Sequence, residues 1–73
     1  MPPLPVLSGN ETRRAFEKLG WRFDRQMGSH MILVKETSAV LTVPRHKVLA
    51  PGTLRGLIRQ SGLTVEEFLA AVK

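Results

Sequence analysis

The spacing of apolar side chains along the chain changes at Gly20. Between Thr12 and Leu19 apolar residues recur every three or four positions, and charged residues fill most of the places between them. This spacing is typical of one face of an α-helix. Ser8 and Glu11 form a capping-box pattern ahead of the run, and glycine commonly ends a helix. We therefore predict that a helix follows Ser8 and stops at Gly20.

After Gly20 the spacing becomes two, which is typical of half-buried β-strands. The pattern predicts three strands, at residues 21–26, 29–35 and 39–43. Met27 and Gly28 are assigned to the first turn, the polar residues 36–38 to the second, and Pro44 ends the third strand. Three consecutive strands joined by short turns indicate an antiparallel meander.

Alternation along each strand predicts which side chains share a face of the sheet. In the first strand it places Phe23 and Arg25 on one face and Arg22 on the other. In the second strand it places His30 on the face opposite to Met31. One face of the sheet is thus expected to be apolar and to be covered by helices.

The remainder of the chain is predicted to be a connector followed by helices. Residues 45–51 form the connector, and a helix is expected from Gly52 or Thr53 to Ser61, where Gly62 ends it. A second capping box, at residues 64–67, begins a last short helix. The predicted fold class is α+β: a helix, a three-stranded antiparallel sheet, then one or two C-terminal helices packed on one face.

Composition limits the kind of protein this chain can be. Its 73 residues are interpreted as one domain, 1–73, in which residues 1–7 are an extended, proline-rich leader. The absence of cysteine excludes disulfides, thiolate metal sites and thiol catalysis. No apolar run approaches the roughly 18 residues of a membrane span, and the leader lacks the features of a signal peptide. We expect a cytoplasmic protein with no membrane partner.

Net charge gives the first indication of a partner. The formal charge is +5 and the sequence pI is about 10.9. Small basic domains favour polyanions, of which nucleic acid is the commonest in a cytoplasm. The alternative is that the charge serves solubility alone.

The residues that can carry chemistry are few. His30 and His46 are the two histidines, and no carboxylate cluster accompanies either, so we expect no metal site. Phosphate-binding glycine loops and serine-nucleophile motifs are absent, and no cofactor is expected. What remains is Gly28, Ser29 and His30, where Ser29 can donate to a phosphate and His30 can move a proton near neutral pH. The alternative is that His30 is an ordinary exposed or hydrogen-bonded residue.

Basic residues are expected to gather near His30 and to hold an RNA backbone without reading its sequence. The candidate RNA-binding residues are Ser29, Arg22, Arg25, Lys35, Arg45, His46 and Lys47. A solvated polar rim is the alternative interpretation of this group. His46 is a proton-transfer partner, a phosphate ligand or a loop residue that stabilises the connector, and we favour the last. Trp21 is interpreted as a core residue, with base stacking as the alternative.

Six segments of the chain together resemble the HicA toxin family. They are Leu7-Ser8-Gly9, Leu19-Gly20-Trp21, Arg25-Gln26-Met27-Gly28-Ser29-His30, Val43-Pro44-Arg45-His46, Pro51-Gly52-Thr53-Leu54-Arg55 and Gln60-Ser61-Gly62-Leu63-Thr64. The resemblance extends from about residue 7 to residue 69. It implies a fold like that of a double-stranded-RNA-binding domain and an endoribonuclease that cleaves mRNA. It also implies inhibition by a HicB antitoxin and a catalytic role for His30.

Two positions depart from the family pattern. Trp21 stands where such proteins commonly have Phe or Tyr. Asp24 places a carboxylate in the first strand, where it would repel phosphate unless Arg22, Arg25 or Lys35 neutralises it.

Three functional hypotheses follow from the sequence. The first is a metal-independent mRNA endoribonuclease that uses His30 and is neutralised by a HicB-type antitoxin covering His30 and the basic residues around it. The second is a non-catalytic RNA-binding module with the same fold, in which His30 is a contact. The third is a protein-interaction domain whose basic surface binds an acidic partner.

Overall fold

The structure, a computed structural model, describes residues 3–36 and 39–72. Its elements are α1 (Gly9–Lys18), β1 (Arg22–Met27), β2 (His30–Val34), β3 (Leu41–Pro44), α2 (Pro51–Ser61) and α3 (Val65–Val72). The strands form one antiparallel sheet in the order β1-β2-β3. The predicted α+β arrangement is confirmed. Thr37 and Ser38, in the predicted second turn, lie outside the described residues.

The predicted capping boxes begin two of the three helices. At α1 the Glu11 amide donates to the Ser8 hydroxyl at 3.0 Å and the Ser8 amide donates to the Glu11 carboxylate at 2.9 Å. The hydrogen bond from the Ser8 amide to the carboxylate, together with the Ser8 hydroxyl beside it, lowers the pKa of Glu11 below its ordinary value. Thr64 and Glu67 make the same pair of bonds at the start of α3.

The first helix of the C-terminal pair begins earlier than predicted. Its N-cap is Ala50, and Pro51 is its first residue. Proline fits this position because the first amide of a helix has no partner within the helix. The predicted end of this helix is confirmed, since Gly62 adopts a φ of +79° and its amide donates to the Arg59 carbonyl.

One prediction about β1 is wrong. Arg22 pairs with Val34 and Phe23 with Leu33, but the next pair along the ladder is Arg25 with Ile32. Asp24 is an extra residue at this point, a β-bulge that interrupts the alternation. Arg25 therefore shares a face with Arg22 and not with Phe23.

The third strand is displaced from its predicted bounds and ends on Pro44. The Arg45 amide donates to the Ser29 carbonyl at 2.7 Å, and Pro44 lies opposite His30. In an antiparallel ladder this makes Pro44 and His30 a non-hydrogen-bonded pair. The backbone nitrogens of the two residues therefore point away from each other's strand. Pro44 fits within β3 because the ladder at that position needs no N–H from it.

The core lies between one face of the sheet and the three helices. Met31, Leu33, Leu41 and Val43 supply the sheet side and are at most 1% exposed. From the helices, Phe16 packs against Phe68 with ring centroids 5.0 Å apart; the other helical core residues are Ala15, Leu54, Leu57 and Ile58. The core is thus built from all the elements at once.

Trp21 is a core residue, as expected. It is 3% exposed and packs edge-on against Phe16, with ring centroids 6.2 Å apart. Among residues 3–36 and 39–72 its indole N–H finds no hydrogen-bond partner. Base stacking on Trp21 is therefore incompatible with this fold.

The backbone before α1 lies directly against the backbone after β3. The Gly9 amide donates to the His46 carbonyl at 2.8 Å, and the Leu49 amide donates to the Leu7 carbonyl at 2.8 Å. A Cβ added to Gly9 would lie 2.1 Å from the Pro44 carbonyl oxygen. Leu7 itself is buried in the core. The start of α1 therefore holds the connector in place through contacts that tolerate no side chain at Gly9.

We predict that Gly9→Ala lowers the free energy of unfolding by about 1–3 kcal/mol, the usual cost of forcing an extra methyl group into packed structure. Urea denaturation followed by circular dichroism measures this loss. The matched control is Gly56→Ala in α2, where a Cβ meets no atom within 4 Å. The control should gain about 0.5–1 kcal/mol from helix propensity. Equal stability of Gly9→Ala and the parent chain would contradict the close approach.

Candidate functional site

His30 is the first residue of β2 and lies on the face of the sheet opposite to the helices. Its neighbour Met31 is 1% exposed and belongs to the core, so alternation directs His30 to the other side. Met27 of β1 and Pro44 of β3 lie opposite His30 and share that side. His30 is exposed, and Met27 is 55% exposed. The imidazole is therefore accessible to a large ligand.

We call this side of the sheet the open face. It comprises three rows of cross-strand neighbours: Met27, His30 and Pro44 at one end, then Arg25, Ile32 and Thr42, then Arg22 and Val34. Ile32 is 8% exposed, whereas Arg25 and Thr42 are exposed. The open face thus combines basic, hydroxyl and apolar side chains around one histidine.

The bulge at Asp24 brings Arg25 onto the open face. Arg25 lies opposite Ile32, two residues along β2 from His30, which is about 7 Å at the rise of a strand. Without the extra residue Arg25 would share the helix-covered face with Phe23, whose ring instead carries Arg13 at 4.0 Å. The local irregularity therefore adds a guanidinium to the surface that carries His30.

Asp24 does not remain an unpaired carboxylate near this surface. Its carboxylate forms an ion pair with the guanidinium of Arg25. One of the three neutralising partners expected from the sequence thus contacts it. The pair is more than a third exposed at Arg25, so it screens the carboxylate more than it stabilises the fold.

The turn before His30 is held from two sides. Gly28 adopts a φ of +59°, which side chains disfavour, and the carbonyl of Ser29 accepts from the Arg45 amide. Gln26 donates to the Gly28 carbonyl at 2.9 Å, and the Arg45 guanidinium lies 3.5 Å from the Gln26 amide oxygen. Gln26 thus links the turn to the connector. Sequence reasoning missed this residue, because no motif marks a glutamine whose role depends on its cross-strand position.

The connector carries three more of the predicted RNA-binding residues. Arg45, His46 and Lys47 follow β3 directly and are all exposed. The backbone of His46 is fixed by the bond from Gly9 to its carbonyl. This backbone contact agrees with a role in stabilising the connector, and it leaves the imidazole outside the core.

Two predicted site residues lie away from this group. Arg22 pairs with Val34, four residues from His30 and about 13 Å along the strand. Lys35 follows β2 at the same distant end, where its ammonium donates to the Leu19 carbonyl at 3.0 Å. Lys35 thus satisfies the last turn of α1. The structure joins the connector to the turn before His30 through the Arg45 amide and the Ser29 carbonyl, and it places Arg25 on the same face as His30. Arg22 and Lys35 lie at the far end of the sheet.

The chemistry available on this surface is proton transfer and anion binding. An exposed imidazole can take or give a proton, and the guanidinium of Arg25 on the same face can hold a phosphate. Over residues 3–36 and 39–72, no group of three or more His, Cys, Asp and Glu side chains is placed to hold a metal ion. Nor is any helix in those ranges long and apolar enough to cross a membrane.

Comparison with known proteins gives one family. The family described as "HicA toxin of bacterial toxin-antitoxin" matches residues 9–63 of the 73. The match covers α1, the whole sheet, the connector and α2. No curated protein matches the chain.

We predict that Gln26→Ala loosens the turn without unfolding the protein. The side chain is exposed, so the free energy of unfolding should change by less than about 0.5 kcal/mol. The NMR order parameter of the Ser29 amide should fall from about 0.85 toward 0.6. Gln60→Ala, at an exposed glutamine of α2, is the control and should leave Ser29 unchanged. A rigid Ser29 in the Gln26→Ala variant would show that Gln26 does not hold the turn.

Proposed function

The chain belongs to the HicA toxin family of bacterial toxin–antitoxin systems, and from this premise we propose that it is an mRNA endoribonuclease that uses His30. The observation that carries the proposal is the exposure of His30 at one end of the open face, on the same face as Arg25. The proposed enzyme needs no metal ion or cofactor, and it acts in the cytoplasm, where mRNA is present. A HicB-type antitoxin neutralises it.

Substrate binding is assigned to the cations around His30. Arg25 lies on the open face, and Arg45 and Lys47 lie beyond the end of the sheet. We assign these cations to successive phosphates of a single RNA strand that passes His30. Ser29 adds a hydroxyl donor at the turn, and His46 adds an imidazole. Such contacts bind the backbone without reading bases. Arg22 and Lys35 would meet only a strand that continues to the far end of the sheet.

The proposed reaction is attack by the RNA's own 2′-hydroxyl on the adjacent phosphorus. The bond from O2′ to phosphorus forms while the bond from phosphorus to the 5′-oxygen breaks. His30 takes the proton from the 2′-hydroxyl, and a water molecule donates a proton to the 5′-oxygen as it leaves. The hydroxide that remains takes the proton from His30, which restores the starting state. The products are a 2′,3′-cyclic phosphate and a 5′-hydroxyl, and no co-reactant is consumed. The exposed imidazole and the neighbouring guanidinium of Arg25 on this face support proton transfer and phosphate binding.

Neutralisation is assigned to the same surface. An antitoxin that covers His30 and its basic neighbours blocks both the proton-transfer group and the phosphate contacts. The chain's net charge of +5 favours an acidic partner for this purpose.

The alternative function is a non-catalytic RNA-binding module. It is favoured by one observation: within the described part of the chain, the His30 side chain has no hydrogen-bond partner that would orient it. In that case His30 is a contact residue, and RNA is retained without being cut. Incubation of labelled RNA with the protein and a metal chelator separates the two functions.

We predict that His30→Ala lowers the rate of RNA cleavage by about 10²–10⁴-fold, the usual contribution of a general acid or base. Because His30 is exposed and outside the core, the free energy of unfolding should change by less than about 0.5 kcal/mol. His46→Ala is the matched control, the same change at the other exposed histidine, and should alter the rate only a few-fold. Cleavage by His30→Ala at the parent rate would rule out the assignment.

Replacement of the 2′-hydroxyl by hydrogen at the cleaved nucleotide tests the nucleophile. We expect cleavage at that linkage to stop, while binding of the modified RNA persists because phosphate contacts are unchanged. Gel analysis of end-labelled RNA measures cleavage, and fluorescence anisotropy measures binding of the modified RNA. Undiminished cleavage of the modified linkage would point to activated water.

A further inference from the structure

The outer edge of β3 carries backbone groups that the sheet does not use. The bond from the Arg45 amide to the Ser29 carbonyl sets the phase of the β2–β3 ladder, in which Thr42 and Ile32 are a non-hydrogen-bonded pair. The amide and carbonyl of Thr42 therefore point away from β2. Since β3 is an edge strand, no further strand accepts them. They form a short template for strand addition.

This edge opens into a groove with room for a chain. The groove lies between β3, at Val40 and Thr42, and α2, at Gly52, Gly56 and Gln60. A Cβ built on Gly52 or Gly56 would meet no atom within 4 Å. Val40 is 55% exposed and supplies an apolar contact at the end of the groove. We call this region the edge groove.

The two ends of β3 differ in their access. At Pro44 there is no amide, and the Pro44 carbonyl oxygen lies against Gly9. Strand addition is therefore blocked at that end, and the free edge is limited to Thr42 and the residues before it. An added segment has a defined position along β3 as a consequence.

We propose that the edge groove receives an extended, acidic segment of the antitoxin as a fourth strand of the sheet. The inference rests on the proposed function for the existence of this partner. Main-chain hydrogen bonds to Thr42 give the affinity, as in other cases of strand addition. Thr42 also belongs to the open face, in the row of Arg25 and Ile32. A segment bound there continues directly onto the surface that carries His30.

Charge selects the partner over a second copy of this chain. The net charge of +5 makes two copies repel each other. Arg55 and Arg59 are exposed on α2 and have no acidic partner within the described ranges. They line a separate cleft together with Glu66 and do not line the edge groove. An acidic strand thus gains backbone hydrogen bonds at Thr42 and the long-range attraction of the net positive charge.

Amide hydrogen exchange at Thr42 tests the proposal. The Thr42 amide is expected to exchange at least about 10-fold more slowly in the antitoxin complex than in the free chain, because it gains a hydrogen bond. The Val43 amide, which already bonds within the sheet, serves as the internal reference. An unchanged Thr42 amide in the complex overturns the proposal. If exchange of the Thr42 amide slows in the free chain as the protein concentration rises, a second copy of the chain binds this edge. That result also overturns the proposal.

A variant pair separates this interface from the catalytic surface. Gly56→Gln fills the edge groove and should weaken antitoxin binding by about 10-fold or more, with RNA cleavage by the free chain within twofold of the parent. Ala70→Gln, the same side chain at an exposed position of α3, is the control and should leave binding unchanged. Tight binding of Gly56→Gln overturns the proposal while RNA cleavage still supports the function. Absence of cleavage in the parent chain refutes the nuclease assignment and leaves the Thr42 measurement interpretable.

Discussion

The contact between Gly9 and the backbone of residues 44–46 determines how the parts of this small protein meet. It joins the first turn of α1 to the end of β3 and fixes the connector through the carbonyl of His46. Because the connector in turn bonds to Ser29, the turn that presents His30 is tied to the same point. A domain of 73 residues without disulfides has few ways to order an exposed loop. This fold orders its connector by packing the backbone directly against Gly9.

Most of the fold could be predicted from the sequence, because its signals are local. The capping boxes at Ser8 and Thr64 and the helix-ending Gly62 each depend on a few neighbouring residues. The start of α2 at Pro51 was missed by one or two positions, since helix ends depend on caps that periodicity does not report. The bulge at Asp24 could not be predicted, because it depends on which residues of β2 lie opposite.

The candidate site was predictable in composition but not in arrangement. Residues close in sequence, such as Ser29 with His30 or Arg45 with Lys47, lie together because short spacing brings them together. Lys35 was assigned to the same group, yet β2 separates it from His30 and α1 engages its ammonium. Gln26 was missed for a different reason. Its contact with Arg45 depends on how the strands are aligned, which the sequence does not show. Positions along a strand, rather than charge alone, decide which residues share a surface.

Trp21 is the only tryptophan, and it lies in the core against Phe16 on the side of the sheet away from His30. Its indole N–H meets neither solvent nor an acceptor within the described part of the chain. Its emission should accordingly be shifted to short wavelengths in the native chain and should move to longer wavelengths when the core opens. Intrinsic fluorescence therefore provides a label-free report on folding that substitutions on the opposite surface do not disturb. The folding of each surface variant can thus be checked without an added label.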